Sequence, residues 1–171
     1  MKTHNNLIYY FISITLFILL KIGYTQVNND LLSFLLLPTS SIIELITGSN
    51  YSYLSEHGYY FMHLNITIDK SCSGFNFLLI SFLSFNYLAL NHTNKNKILT
   101  IPIALILSYL LTIIVNSSRI FVSIIIQGQT KHMFSSQQPI IHESIGVITN
   151  ITFLVMTYFL IEKILIKKAT Q

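Results

Sequence analysis

The chain has 171 residues and a net charge of +4, and it is 52% apolar with only 9% charged residues, against about 25% in an ordinary soluble domain. A single cysteine excludes an internal disulfide, a CxxC redox pair and a paired-cysteine zinc site. Nine lysines and one arginine form no basic run long enough for nucleic acid, and the apolar blocks are long enough to cross a bilayer at about 20 residues per helix, so the class is an all-α polytopic membrane protein.

The whole chain, 1–171, reads as a single integral membrane domain. A run over about 7–22 follows Met1-Lys2 and offers no small-x-small cleavage site after Gly23, so it is expected to stay as an anchor. The segment 31–47 carries Pro38 and Glu44 and is short for a span. It is either interfacial or re-entrant, or a fifth crossing helix. Residues 50–69 alternate Tyr51, Tyr53, Tyr59, Phe61, Leu64, Ile66 and Ile68 around a Ser55-Glu56-His57-Gly58 turn. They predict a small extracytoplasmic β-hairpin on the membrane surface, with its tyrosines at headgroup level. Three clearer spans follow at about 72–90, 98–119 extending to 126, and 140–162. Polar loops at 91–97 and 127–138 separate them. Six of the lysines (2, 95, 97, 163, 167, 168) lie at the termini or in one loop, and the positive-inside rule makes the Lys95/Lys97 loop and the basic tail cytoplasmic.

The last three spans bring chemistry to one depth. Cys72 lies 19 residues before Asn91, Arg119 lies 21 after Ile98, and His142 lies 20 before Glu162. At 1.5 Å per residue each is about 30 Å from the cytoplasmic boundary, one hydrocarbon thickness away. The three meet at the outer interface whichever path 31–47 takes. Cys72 is expected to open a helix, whose free N–H groups and positive end favour a thiolate nucleophile. Arg119 suits a thiolate or a tetrahedral oxyanion, and His142 suits general acid and base work. Asn76 and Asn116 are candidate supporting donors.

Plainer readings exist for each residue alone. A lone membrane cysteine is commonly an inert small side chain, an arginine past a span is commonly an interfacial anchor, and a histidine after a proline can be merely interfacial. None of these predicts a shared depth. The apolar continuation Ile120–Ile126 also keeps Arg119 at or below the interface, where a charge is costly and usually functional. Neither a metal nor another cofactor is called for, since His-x3-His spacing is lacking.

Ser71-Cys72-Ser73-Gly74 at a span's start, Asn116-Ser117-Ser118-Arg119 at the next span's end and His142 at the last span's start together resemble the exosortase/archaeosortase family. The chain is similar to a short, exosortase K-like member, since typical exosortases are longer. The resemblance implies Cys72 as nucleophile, Arg119 as stabiliser and His142 as acid/base, with Ser73, Gly74, Asn76 and Asn116 in support. It implies a cysteine peptidase or transpeptidase at the outer face of the cytoplasmic membrane, acting on C-terminal sorting signals of exported proteins that carry their own membrane anchor. The rival expectation is a non-catalytic membrane subunit or scaffold, in which these residues only pack helices.

Overall fold

The structure, a computed structural model, describes residues 4–92, 97–130 and 138–169, with side chains over 6–92, 97–126 and 143–167. Five α-helices are described: α1 His4–Gln26, α2 Ser33–Thr47, α3 Phe75–His92, α4 Lys97–Thr130 and α5 Gln138–Ala169. Between α2 and α3 lie three strands, β1 Tyr51–Leu54, β2 Gly58–Phe61 and β3 Ile66–Ile68. Candidate membrane spans cover Asn6–Gln26, Asp30–Thr47, Lys70–His92, Lys97–Ile126 and Glu143–Lys167, by length and apolar composition. The helical, polytopic architecture is thus the one expected. The contacts divide the chain into two compact units, 1–26, 75–112 and 154–171 in one and 27–74 and 113–153 in the other.

In the first unit Phe82 and Phe85 of α3 and Ala104 of α4 are buried, with Leu16, Ile101, Leu105 and Ile161 packed on them. Outward positions are apolar too: Leu7, Phe11 and Leu19 on α1, Ile106 on α4 and Phe159 on α5 are exposed. A soluble protein would not leave so many large apolar side chains uncovered. With lipid outside and Leu-like side chains inside, apolar burial gives little preference for one packing, and buried polar contacts fix the helix pairs. Asn86 of α3, 1% exposed, supplies the central one. Its Nδ2 donates to Ser13 Oγ on α1, and its Oδ1 accepts from Thr100 Oγ1 on α4 at 3.2 Å.

The ends of α1 and α3 show how the two helices run. Asn6 Nδ2 donates to Leu90 O at 3.2 Å and Tyr10 Oη donates to Asn91 Oδ1 at 2.8 Å. At the other end Lys21 Nζ donates to Asn76 Oδ1 at 2.5 Å and Tyr24 stacks on Phe75 with centroids 4.5 Å apart. The helices are therefore antiparallel, and the chain leaves α1 at the same end at which it enters α3. Residues 27–74 cannot contain one net crossing, so α2 does not span. Its 15 residues, about 22 Å of helix, also fall short of a 30 Å hydrocarbon core. Length and composition alone admit 30–47 as a span, but the pairing of α1 with α3 outweighs them.

In the second unit the strands form one antiparallel sheet in the order β1-β2-β3. Tyr51 pairs with Phe61 and Tyr53 with Tyr59 across the first ladder, and Tyr59 pairs with Ile68 across the second. The expected hairpin is thus one strand short of what forms. Ile66-Thr67-Ile68 supplies the third strand, since Phe61 and Ile68 point to the interior and are buried with Leu35, Leu36 and Ile43 of α2. The loop expected from 127 begins later, because α4 continues through Thr130; 131–137 lie outside the described residues.

Asn86→Ala should destabilise the first unit by about 1–3 kcal/mol, the cost of leaving buried partners unmade. Ser13→Ala should then add less on top of it than it costs alone, and simple additivity in mixed-micelle unfolding would contradict the coupling. A second expectation concerns Tyr53, whose hydroxyl donates to the Asp30 carboxylate. That hydrogen bond first, then desolvation and the carboxylate charge, push its pKa up to about 12. The folded state favours the neutral phenol, so this contribution is complete below the ordinary value near 10 and is lost as pH rises through about 12. Absorbance titration should show one late tyrosine that reverts toward the ordinary range in Asp30→Asn; an unchanged curve would contradict the assignment.

Candidate active site

Cys72 is the last residue of a single 3-10 turn, Lys70–Cys72, and not the first of α3. Asp69 starts that turn: its Oδ1 accepts from Ser71 N at 2.9 Å and from Ser71 Oγ at 2.6 Å. Cys72 N donates to Asp69 O at 2.9 Å and Ser73 N to Lys70 O at 3.2 Å. Gly74 then takes φ +71°, in the left-handed region that glycine enters freely, and α3 starts at Phe75. The expectation that Cys72 sits on the positive end of α3 is corrected, because this reversal separates thiol from helix start and the Cys72 N–H is already used. The turn is held from outside as well, by Lys70 N donating to Asn29 Oδ1 at 2.9 Å and Lys70 Nζ to Val27 O at 2.7 Å.

Half-buried Cys72 receives two further contacts. Ser71 Oγ lies 3.7 Å from its Sγ, with the hydroxyl proton given to Asp69. Asn116 Nδ2 of α4 donates to its carbonyl oxygen at 2.5 Å, and Asn116 is 3% exposed. The supporting role expected of Asn116 is therefore a specific one, gripping the backbone of the cysteine. Helical periodicity puts Ile120, Ser123 and Ile124 on the face that Asn116 occupies. These three line a recess together with Cys72 and Ile66-Thr67-Ile68.

Arg119 lies three residues after Asn116 on the continuous helix α4, and it is half-buried. Its side chain lies against α5 at Gly146: a Cβ there would come within 2.9 Å of Arg119 Nε and 3.2 Å of Cζ. A side chain at 146 would push the guanidinium from this position. His142 is on α5 one turn before Gly146 and so on the same helix face; its side chain lies outside the described residues. The structure thus joins Cys72 to Asn116, and Arg119 to the α5 face that carries position 142. Ser73 is buried within the turn. Asn76 is placed otherwise, its Oδ1 taken by Lys21 Nζ in the α1–α3 pair.

Reading the residues in sequence missed Gly146, Asp69 and the recess. Asp69-x-Ser71 is a legible turn signal, an Asx carboxylate capping the N–H two residues on. Gly146 had only its i+4 spacing from His142 to mark it. Among the described residues, no cluster of His, Cys, Asp and Glu could hold a metal ion.

No curated protein and no solved structure matches the chain. A family model described as Transmembrane exosortase (Exosortase_EpsH) matches residues 8–160, from the first turns of α1 to within ten residues of the end of α5. With nearly the entire chain covered, helices, sheet and cysteine turn included, the protein belongs to the transmembrane exosortase family.

Proposed function

We propose that the protein is a membrane-embedded cysteine peptidase or transpeptidase that processes the C-terminal sorting signals of exported proteins. The observation that carries this reading is the Asn116–Cys72 hydrogen bond, which ties the thiol-bearing turn to the turn of α4 that also bears Arg119. The family membership supports the transpeptidase-like class of reaction. The Cys72 thiolate attacks the scissile carbonyl, forming a C–S bond, and the charge that collects on the oxygen is met by the Arg119 guanidinium. His142 gives its proton to the leaving nitrogen as the C–N bond breaks. Water or an acceptor amine then attacks the thioester and returns the thiol, giving hydrolysis or transfer.

The lysine distribution supports an outward-facing site. The starts of α1 and α4 lie at one end, since Lys97 Nζ donates to Asn6 Oδ1. The positive-inside rule makes that end cytoplasmic. The substrate would be an exported protein held by its own C-terminal anchor helix.

Cys72→Ala and Cys72→Ser should each lower processing by about a thousandfold or more, with insertion intact. The check is intact-mass analysis of exported proteins bearing a C-terminal apolar helix, and full trimming in both variants would sink the thiol mechanism. Gly146→Val should displace the guanidinium and slow processing about a hundredfold, the effect of misplacing a catalytic group by roughly 1 Å. Wild-type rates in that variant would separate Arg119 from the reaction.

A further inference from the structure

The recess beside Cys72 has a volume of about 40 Å3, room for roughly three water-sized groups. All three residues of β3 line it, and none of β2 does. Successive strand residues point to opposite faces, so a cavity touched by Ile66, Thr67 and Ile68 together lies along the edge of the strand and not on either face. β2 occupies one edge of β3, and β3 is the last strand of the sheet, so the recess follows its outer edge. The opposite wall is the α4 face with Ile120, Ser123 and Ile124, and Cys72 completes the lining. An outer strand edge presents N–H and C=O groups that an extended peptide can pair with. The walls are mainly branched and aliphatic, with the hydroxyl-bearing Thr67 and Ser123 among them.

We propose that this recess is the specificity pocket for the substrate residue whose carbonyl Cys72 attacks, and that it admits a small side chain, from Ala to Thr or Val, from an extended peptide beside β3. A Leu or Phe side chain exceeds the three groups the cavity holds and meets Ile120, which is 4% exposed and packed. The inference rests on the thiol reading of the site and adds the class of residue that precedes the scissile bond.

The test uses the full-length protein in detergent and acetyl-Ala-Ala-X chloromethyl ketones with X = Ala, Val, Leu or Phe. Cys72 Sγ forms a bond to the methylene carbon as chloride leaves, and intact mass follows the alkylation. Each rate is divided by that of iodoacetamide on the same protein, which needs no pocket. Wild type should react with the Ala and Val reagents about tenfold or more faster than with the Phe reagent, a discrimination ordinary for an apolar pocket. Ile124→Ala should shrink that ratio by about tenfold. Ratios within twofold across X in wild type, with iodoacetamide still reactive, would overturn the pocket and leave the thiol reading standing. An unchanged ratio in Ile124→Ala would likewise overturn it. A Cys72 inert to iodoacetamide as well would bring down the thiol reading and the pocket with it.

Discussion

One hydrogen bond holds the candidate site together, the one from Asn116 Nδ2 to the carbonyl oxygen of Cys72. The turn that ends at Cys72 is three residues long, and a single 3-10 turn has too few internal bonds to hold its own position. Its carbonyl must find a donor, because a buried acceptor left unmade costs about 1–3 kcal/mol. Asn116 answers that need from the middle of a long continuous helix. The thiol therefore takes its position from α4 as well as from the Lys70 bonds to Asn29 and Val27. The same helical turn presents Arg119, and the next presents Ile120, Ser123 and Ile124, so charge and pocket are registered to the cysteine by one rigid element.

A second constraint, the close approach at Gly146, acts on the cation. A guanidinium on a long flexible stem loses much rotamer freedom when it is fixed. Packing it where α5 lacks a side chain limits its positions. It also links Arg119 to the α5 face on which position 142 lies. Cys72 and Arg119 are thus each positioned in part by a small contact, one polar and one steric.

Much of this was legible in the sequence, and the missing parts share a cause. The apolar blocks gave the helices, because a lipid-facing surface must be apolar whatever its neighbours are. The order of cysteine, Asn-x-x-Arg and histidine marked the candidate residues, and Asn116 appeared among them as a donor without its acceptor. What stayed hidden depends on contacts between distant segments. The path of 31–47 follows from Asn6 meeting Leu90 and Lys21 meeting Asn76, pairings that hydropathy does not encode. The third strand depends on Ile68 finding the interior beside Phe61, and the role of Gly146 on Arg119 lying 27 positions earlier. Cys72 was expected at a helix start because Ser73 and Gly74 do not interrupt an apolar pattern strongly enough. The left-handed Gly74 is a local choice that one glycine in a sequence does not announce.

The length of α4 connects these parts to the membrane. Its 34 residues extend about 51 Å, well beyond a 30 Å hydrocarbon core. Measured from Lys97, Asn116 and Arg119 lie about 29 and 33 Å along the helix, and Ile124 lies about 40 Å along it. The helix is longer than one crossing needs, and Asn116, Arg119 and the recess-lining residues all lie in its second half. The proposed peptide substrate would need its scissile bond outside the hydrocarbon. Its polar backbone could not be bonded inside hydrocarbon except by a complete helix or sheet, whereas past the interface an extended chain can keep its hydrogen bonds with a strand edge or water. A helix of ordinary span length would end near Arg119 and leave the recess without its α4 wall. From Ile120 onward, Ile120, Ser123 and Ile124 line the recess, while Val122 and Ile125 on the other face are exposed.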